Sequence, residues 1–336
     1  MNRVKIAING FGRIGRSFFR ATFGEKGFDI VAINDLTPLE TSAYLLTHDS
    51  VYGKYKKTVT TEEGAFVVDG EKIKSFAEKD PKNLPWKDLD IDIVVESSGF
   101  FASGEKSQAH LDAGAKRVVI TAPASGEVDT LLIGANDAGF ANAKHITCNA
   151  SCTTNATAPI VAILDEEFGI VKSAMTTIHA YTATQKLVDG GADHDVRRSR
   201  AAGINIVPAS TGAAEAVIQS LPHMEGIFDA VSVRVPVIAG SLVDLTALLK
   251  KKTNVEEVNA AFRNAAKNPR WEKVLKTTED KIVSTDIIGE PYGAIVDLSL
   301  TKVIDGDLVK IFSWYDNEAG YTATLVEHVR RIAENL

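Results

Sequence analysis

Two cysteines stand four positions apart in the segment CNASCTTNATAP, which covers residues 148–159. They are the only cysteines in a chain of 336 residues, so a disulfide framework is not indicated and a reducing cytoplasm is the expected location. A metal pair would need further Cys or His at ligand spacing, and the neighbouring sequence has none, so no metal site is expected. Two hypotheses remain for each thiol: a small buried side chain or a nucleophile.

The two thiols differ in their predicted positions. Cys152 follows the short turn 149–151 and precedes TAPIVAILDEEFG, which predicts a helix over residues 153–168. A thiol at a helix N-terminus is stabilised as thiolate by the free N–H groups and the helix dipole. Cys148 instead lies within an apolar strand pattern, where a cysteine usually acts as a small hydrophobic side chain. Cys152 is therefore the candidate nucleophile.

A nucleophilic thiol needs a base, and His179 in TTIHAYTATQ is the best candidate, since it lies at a predicted strand end among hydroxyl residues. Histidine beside a thiol can hold it as thiolate and later move a proton. The sequence alone leaves open whether His179 reaches Cys152. The other histidines occur in polar, loop or helix-face contexts and are expected at the surface: His48, His110, His145, His194, His223 and His328.

A glycine motif near the amino terminus indicates a second kind of chemistry. Gly10, Gly12 and Gly15 form G-x-G-x-x-G directly after the first strand pattern and at the start of a helical pattern. This arrangement suits a pyrophosphate at a helix N-terminus, although a glycine-rich turn without a nucleotide is the alternative. Asp35 ends the next strand, where an acid binds ribose hydroxyls and repels a 2′-phosphate. The motif therefore predicts NAD in preference to NADP.

Two kinds of hydrophobic pattern predict the elements that must position these residues. Val- and Ile-rich runs in the first half are typical of parallel strands buried on both faces; they cover 4–9, 29–35, 91–97, 117–123 and 145–151, with helical patterns at 13–24 and 105–115. Alternating patterns in the second half are typical of an antiparallel sheet; they cover 172–182, 229–237, 241–251, 293–304 and 307–316, with helices at 255–268 and 318–335.

These patterns predict an α/β protein: a Rossmann-type doubly wound parallel sheet, followed by an α+β domain with a mostly antiparallel sheet. We expect residues 1–151 to form an NAD-binding domain, with the helix at 318–335 packing back onto it, and residues 152–317 to form a catalytic domain. The formal net charge is −7, and without a basic block this argues against nucleic acid as a partner. No apolar run approaches the roughly 20 residues of a membrane span, so no membrane partner is expected.

Six motifs, read in order, resemble the phosphorylating glyceraldehyde-3-phosphate dehydrogenases over nearly the whole chain. They are INGFGRIGR, CNASCTTN, IHAYTATQK, PASTGAAEAV, VRVPV followed by VDLT, and SWYDNEAGY. The resemblance implies that Cys152 attacks the aldehyde of glyceraldehyde 3-phosphate to form a thiohemiacetal, with His179 as the base. Hydride transfer to NAD would leave a thioester, which inorganic phosphate would cleave to 1,3-bisphosphoglycerate. It also implies a glycolytic or gluconeogenic role in the cytoplasm and a homotetramer.

The resemblance also implies binding residues. For the substrate phosphate they are Thr182 and Arg234; for the attacking phosphate they are Ser151, Thr153, Thr211, Gly212 and, from the RRSR run, Arg198; for NAD they are Gly10, Gly12, Arg13, Ile14, Gly15, Asp35, Thr121 and Asn317. Phosphate needs hydroxyl, backbone N–H and arginine donors of this kind. Asn317 would hold the nicotinamide carboxamide and so fix which ring face reacts.

Three positions depart from the family pattern: Ala156 replaces a second cysteine, Ala319 replaces a common tryptophan, and Gly191 replaces a common proline. The first strengthens the assignment of the chemistry to Cys152 alone. The last slightly weakens a strict preference for NAD, because the flexible Gly-Gly pair lies in a loop that approaches the adenosine end in the family. The alternative functions are an erythrose-4-phosphate dehydrogenase, a non-catalytic NAD-binding protein and a cofactor-free thiol hydrolase.

Overall fold

The computed structural model describes residues 3–191 and 195–336, and the chain divides into two compact units. Unit 1 comprises Met1–Leu131, Asp137–Ala150 and Leu325–Leu336, and unit 2 comprises Leu132–Asn136 and Ser151–Thr324. The chain therefore passes from one unit to the other after residues 131, 136, 150 and 324. Within the described ranges, no helix is both long and apolar enough to cross a membrane.

Within the described residues, the strands of unit 1 form one nine-stranded sheet. In chain order they are Val4–Asn9 (β1), Phe28–Asn34 (β2), Val59–Glu62 (β3), Ala65–Val68 (β4), Glu71–Phe76 (β5), Ile93–Glu96 (β6), Arg117–Ile120 (β7), Asp129–Thr130 (β8) and Ile146–Cys148 (β9). Across the sheet the order is β3-β4-β5-β2-β1-β6-β7-β9-β8. The helices are Arg13–Thr22 (α1), Leu39–Thr47 (α2) and Gly104–Asp112 (α3).

The sheet of unit 1 is parallel from β5 to β8 in this order, whereas β3, β4 and β5 pair antiparallel. In β6, Ile93, Val94 and Val95 all have no exposed surface. A continuous apolar run of this kind is what a parallel strand covered on both faces requires. The predicted Rossmann-type parallel sheet is confirmed.

The described strands of unit 2 form an eight-stranded sheet. In chain order they are Ile170–Ala180 (β10), Val207–Ala209 (β11), Phe228–Val235 (β12), Ser241–Leu249 (β13), Leu275–Thr278 (β14), Ala294–Asp297 (β15), Lys302–Ile304 (β16) and Leu308–Tyr315 (β17). The order across the sheet is β11-β12-β10-β13-β17-β15-β14, and β16 pairs with β17. The helices are Cys152–Phe168 (α4), Ala213–Ser220 (α5), Val255–Ala265 (α6) and Ala319–Ala333 (α7), of which α7 belongs to unit 1 from Leu325 onward.

The sheet of unit 2 is mostly antiparallel, as predicted: β10–β12 and β14–β15 are its parallel pairs among the described strands. Along β13, buried and half-buried residues alternate without a break, which is the pattern of a sheet with one face against the core. The short segment Leu132–Asn136 is also part of this unit, and Arg270 Nε donates to the carbonyl oxygen of Gly134 at 2.5 Å.

The single strand predicted over 293–304 is wrong in one respect, because it is divided into β15 and β16. The side chain of Asp297 accepts hydrogen bonds from the backbone N–H and the hydroxyl of Ser299, at 3.1 and 2.6 Å. This local turn starts a short 3-10 helix, Leu298–Leu300. Aspartate side chains compete in this way with strand pairing.

Two histidines expected at the surface, His110 and His328, are fully buried instead. His328 donates from Nδ1 to the carbonyl oxygen of Leu131 at 3.1 Å, and its Nε2 lies 2.8 Å from the hydroxyl of Thr147. Burial is tolerated because both ring nitrogens have partners. The remaining histidines of this group, His48, His145 and His223, are exposed, and His194 lies outside the described residues.

We expect the stability of the fold to depend on pH through His328. Burial lowers the pKa of His328 to about 3, whereas histidine in an unfolded chain titrates near pH 6.5. Below that pH the histidine is protonated in the unfolded chain but stays neutral in the folded protein. Acidification from pH 7 to pH 5 should therefore lower the free energy of unfolding by about 2 kcal/mol through this residue. Urea unfolding at both pH values should show a smaller loss for His328→Leu than for the wild type. An exposed control, His48→Leu, should keep the wild-type loss, and equal losses in all three proteins would contradict the assignment.

Candidate functional site

Cys152 is the first residue of α4, and Ser151 is its N-cap. The Ser151 hydroxyl accepts a hydrogen bond from the Thr154 backbone N–H at 3.0 Å and also contacts the Thr154 hydroxyl at 2.7 Å. A serine cap of this kind fixes the first turn of a helix. The thiol therefore lies where the free N–H groups and the dipole favour negative charge.

The structure brings the candidate nucleophile and the candidate base together. His179 is the penultimate residue of β10 and is 3% exposed. Its Nε2 lies 3.4 Å from Cys152 Sγ, within hydrogen-bond distance for sulfur. A proton can therefore pass directly between the thiol and the imidazole.

The other ring nitrogen of His179 has two competing partners. Nδ1 lies 2.6 Å from the carbonyl oxygen of Ala180 and 2.8 Å from Arg234 Nη1, which also lies 3.1 Å from that carbonyl oxygen. Nδ1 can donate to the carbonyl or accept from the guanidinium, but it cannot do both. When Nδ1 carries the proton, Nε2 is free to act as a base toward Cys152. When Arg234 donates to Nδ1, the neutral ring carries its proton on Nε2 and can donate it to a thiolate.

Burial opposes charge on both members of the pair. It raises the pKa of the Cys152 thiol, although the positive charge of Arg234 and hydrogen bonds from Thr153 act in the opposite direction. Burial, and then the charge of Arg234, lower the pKa of His179 to about 3. Burial thus favours the neutral form of both the thiol and the imidazole.

Tyr315, which the sequence analysis missed, completes the surroundings of the pair. Its hydroxyl contacts the hydroxyls of Thr153 at 3.0 Å and Thr177 at 2.7 Å. Its ring packs edge-on against His179, with centroids 5.9 Å apart. Burial raises the pKa of this phenol, so Tyr315 stays neutral. The sequence signal was available, since Tyr315 ends an alternating strand directly before the Asp-Asn pair of the SWYDN motif.

Two of the arginines implied for phosphate binding have different neighbours: Arg198 lies near Thr182, and Arg234 lies beside His179. Arg198 Nη2 donates to the carbonyl oxygen of Ser210 at 3.1 Å, and its Nη1 lies 3.4 Å from the Thr184 hydroxyl, which contacts Thr182 at 2.9 Å. Arg234 instead contacts the ring of His179. Within the part of the chain that the structure describes, Thr182 and Arg234 share no direct hydrogen bond.

Thr211 and Gly212 directly precede α5. Gly212 is the residue before the first helical residue, and the Thr211 hydroxyl accepts a hydrogen bond from the Ala213 backbone N–H at 3.2 Å. A helix N-terminus with a neighbouring hydroxyl offers donors that suit an anion. Ser210, which directly precedes Thr211, holds Arg198 through its carbonyl oxygen.

Unit 1 contains a cavity of about 430 Å³ at the carboxyl ends of β1, β2 and β6. Its lining comprises Asn9, Gly10, Gly12, Asn34, Asp35, Leu36, Glu78, Lys79, Ser97, Ser98, Phe100 and Phe101. Nucleotides bind outside this edge of an open parallel sheet. The predicted residues Gly10, Gly12 and Asp35 are thus brought together, and the sequence analysis missed the rest.

The shape of the glycine turn fits a dinucleotide. Gly10 has φ +91°, and a Cβ on it would lie 2.3 Å from the backbone nitrogen of Ser98. A Cβ on Gly15 would lie 2.2 Å from the carbonyl oxygen of Gly10. Around Gly12, by contrast, no described atom lies within 4 Å of such a Cβ, which leaves room for a pyrophosphate to approach the backbone. Asp35 accepts a hydrogen bond from the Phe11 backbone N–H at 2.5 Å, which ties it to the same turn.

Other residues implied for NAD do not line this cavity. Arg13 pairs with Asp49 and lies over the ring of Tyr52. Ile14 is half-buried in α1, and Thr121 follows β7.

Asn317, in unit 2, is also implied for NAD. Its Oδ1 accepts hydrogen bonds from Gly240 N–H at 3.1 Å and from the Ser241 hydroxyl at 3.3 Å. Because Gly240 N–H can only donate, the Asn317 amide must present its NH₂ group elsewhere, and within the described residues that group makes no hydrogen bond. Asn317 therefore has a donor available for a carboxamide oxygen.

The exposed apolar residues Leu36 and Phe100 are the most informative part of the lining that the sequence analysis missed. They are 56% and 76% exposed, and apolar side chains in a cavity lining suit a flat ring. They could have been found by reading the residues that directly follow β2 and β6, since such residues gather at one edge of a parallel sheet.

The chain matches two protein-family models: residues 4–104 match the NAD binding domain, and residues 151–317 the C-terminal domain, of glyceraldehyde 3-phosphate dehydrogenase. It is 48% identical to the glyceraldehyde-3-phosphate dehydrogenase of Borreliella burgdorferi over 98% of this chain and 100% of the relative. The chain belongs to the glyceraldehyde-3-phosphate dehydrogenase family. The enzymes of the same name from Mycobacterium avium (48% identity, 99% of each chain) and Clostridium pasteurianum (46% identity, 98% of each chain) are similar to it.

Membership of the glyceraldehyde-3-phosphate dehydrogenase family confirms the predicted cofactor, NAD, and agrees with the cavity found in unit 1. Gly10, Gly12 and Asp35 all lie within the range that matches the NAD binding domain. Cys152, His179 and Arg234 lie within the range that matches the C-terminal domain. In the described part of the chain, no group of three or more His, Cys, Asp or Glu residues could hold a metal ion.

Proposed function

We propose that this protein is an NAD-dependent phosphorylating glyceraldehyde-3-phosphate dehydrogenase, which converts glyceraldehyde 3-phosphate and inorganic phosphate to 1,3-bisphosphoglycerate. The observation that carries the proposal is the 3.4 Å contact between Cys152 Sγ and His179 Nε2 at the start of α4. In the proposal, residues 1–151 with the helix at 318–335 bind NAD, and residues 152–317 carry out the chemistry. The enzyme serves glycolysis or gluconeogenesis.

The pair acts first as nucleophile and base. The thiol proton passes to His179 Nε2, and the Cys152 sulfur attacks the aldehyde carbon to form a thiohemiacetal. His179 returns this proton to the former aldehyde oxygen, which gives the thiohemiacetal hydroxyl, and takes it up again as the carbon is oxidised. Bound NAD supplies the hydride acceptor. When phosphate oxygen attacks the resulting thioester, Cys152 leaves as a thiolate, which is a good leaving group.

In this proposal Arg234 and Thr182 bind the substrate phosphate, and that binding determines which ring nitrogen of His179 carries the proton. A phosphate that takes hydrogen bonds from Arg234 draws the guanidinium away from His179 Nδ1. Nδ1 then donates to the carbonyl oxygen of Ala180, which lies 2.6 Å away, and Nε2 faces Cys152 as an acceptor. Substrate binding thus favours the tautomer that can remove the thiol proton.

The attacking phosphate is assigned to the start of α5 and the start of α4. The proposed donors are Ser151, Thr153, Thr211, Gly212 and Arg198. Support comes from the position of Thr211 and Gly212 at the N-terminus of α5 and from the anchoring of Arg198 by the Ser210 carbonyl oxygen. For NAD, the proposed contacts are Gly10, Gly12, Arg13, Ile14, Gly15, Asp35, Thr121 and Asn317.

A homotetramer in the cytoplasm is part of the proposal. One segment of unit 2 carries five large apolar side chains that are between 72% and 86% exposed: Leu187, Val188, Val196, Ile204 and Ile206. Apolar surface concentrated in this way supports burial against other copies of the chain. Both cysteines are free, which fits a reducing compartment.

The test is an NADH absorbance assay with purified protein, glyceraldehyde 3-phosphate and NAD, with and without inorganic phosphate. We expect NADH to form in a phosphate-dependent manner and faster than with erythrose 4-phosphate or with NADP. The absence of phosphate dependence, or a preference for the four-carbon sugar, would contradict the proposal.

A further inference from the structure

Three side chains that the proposed chemistry does not use form a buried hydrogen-bonded chain in unit 1. Trp86 Nε1 donates to His110 Nδ1 at 3.0 Å, and His110 Nε2 lies 3.0 Å from Glu96 Oε2. All three residues are at most 2% exposed. An indole can only donate, so His110 Nδ1 must accept, and the ring proton lies on Nε2. His110 therefore donates to Glu96.

A second chain reaches the same carboxylate from the opposite direction. The backbone N–H of Glu78 donates to Asn34 Oδ1 at 2.8 Å, which orients the Asn34 amide. Asn34 Nδ2 then donates to Asn9 Oδ1 at 2.7 Å, and Asn9 Nδ2 donates to Glu96 Oε2 at 2.5 Å. The backbone N–H of Glu78 can only donate, so it fixes the orientation of the Asn34 amide, which in turn fixes that of the Asn9 amide. Both chains thus end at Glu96 as the acceptor.

The other oxygen of Glu96 holds the loop that packs on the glycine turn. Oε1 accepts from the Ser98 backbone N–H at 2.8 Å and from the Ser98 hydroxyl at 2.5 Å. Glu96 thus faces four donors, which is the arrangement that stabilises a buried carboxylate. The Ser98 nitrogen is the atom that a Cβ on Gly10 would strike at 2.3 Å. Glu96 therefore fixes the surface against which the turn rests.

We propose that Glu96 is a positioning residue for NAD, and that His110 sets it in place. Asn9, Asn34 and Ser98 line the cofactor cavity, whereas Glu96 and His110 do not. Glu96 acts through these lining residues: it aligns the ends of β1, β2 and β6 and holds the loop against Gly10. The inference rests on the proposed use of this cavity by NAD.

Glu96→Gln is the most informative substitution, because it keeps the shape of the side chain and replaces one carboxylate oxygen, an acceptor, by an NH₂ group, a donor. A glutamine NH₂ at the Oε2 position would face N–H groups of Asn9 and His110, and at the Oε1 position it would face Ser98. His110 cannot change tautomer to relieve this, because Trp86 donates to Nδ1. We expect the Kd for NAD to rise about tenfold, which is about 1.4 kcal/mol, because the lining residues shift when a buried donor is left unmatched.

The experiment is titration calorimetry of NAD and of AMP into the full-length protein without substrate. Glu96→Gln and His110→Leu should weaken both ligands by similar factors, because the defect lies at the phosphate and ribose end of the cavity. His328→Leu is the matched control, since His328 is equally buried in unit 1 and its two described partners, Thr147 and Leu131, do not line the cavity. It should lower the unfolding midpoint yet keep the wild-type Kd within twofold. Alkylation of Cys152 should proceed at the wild-type rate in all three variants.

Two results would overturn the inference while leaving the proposed function intact. One is wild-type affinity for NAD in Glu96→Gln, which stays decisive even where His110→Leu fails to fold. The other is a loss of affinity in His328→Leu as large as in His110→Leu, which would make the role a purely structural one. A wild-type protein that binds no NAD would instead contradict the proposed function, and the inference with it.

Discussion

Replacing Cys152 by serine should lower kcat by about four orders of magnitude or more, whereas replacing Cys148 by serine should leave kcat within about twofold. The serine hydroxyl at position 152 would be a far weaker nucleophile and a poorer leaving group than a thiolate. Cys148 is fully buried in β9, with its sulfur 3.3 Å from the Thr130 hydroxyl. Serine keeps that partner, so the expected cost at position 148 is about 1 kcal/mol of stability.

Steady-state NADH formation and mass spectrometry after iodoacetamide treatment measure this difference. In the wild type we expect the label on Cys152, because Cys148 has no exposed surface and burial raises the pKa of its thiol. Comparable losses of activity in the two variants would contradict the division of roles between the cysteines.

Replacing His179 by glutamine should lower kcat by about 10²- to 10⁴-fold, the usual contribution of a positioned general base. Glutamine approximates the size of the ring but cannot take up the thiol proton. Burial already raises the pKa of Cys152, so without an acceptor the thiol ionises only at higher pH. The pH profile of Cys152 alkylation should therefore shift toward alkaline pH, with a lower rate at pH 7.

Alkylation rates between pH 6 and pH 10 test this second prediction. His223→Gln is the matched control, since His223 lies in the same unit, is exposed, and pairs with Asp165. It should keep both the wild-type kcat and the wild-type alkylation profile. An unchanged profile in His179→Gln would mean that His179 does not assist ionisation of the thiol.

The sequence predicted best those features that follow from local pattern. The continuous apolar run of β6 and the alternation along β13 each specify a strand and its environment. The helix after Ser151 was predicted to begin at residue 153, and it begins at Cys152. The division of the strand at 293–304 was not predicted, because it depends on the Asp297 side chain, which accepts a hydrogen bond from the nearby backbone N–H of Ser299.

Features that depend on contacts between distant segments were not predictable in the same way. His110 lies on a helix whose sequence has no strong apolar stripe, and its burial depends on Trp86 and Glu96, which are 24 and 14 residues away. The partners of His328 are more than 180 residues away. The pairing of Cys152 with His179 was likewise open from the residues alone, and only the family resemblance suggested it.

The path of the chain between the two units has a practical consequence for recombination between relatives. A chimera with a single crossover at residue 151 would take Leu132–Asn136 from one parent and the rest of unit 2 from the other. Gly134 would then come from a different parent than Arg270, which donates to its carbonyl oxygen. It would also come from a different parent than Trp271, whose ring leaves no room for a Cβ at position 134. Exchange of intact units would require junctions at 131, 136, 150 and 324, and the last of these lies inside α7.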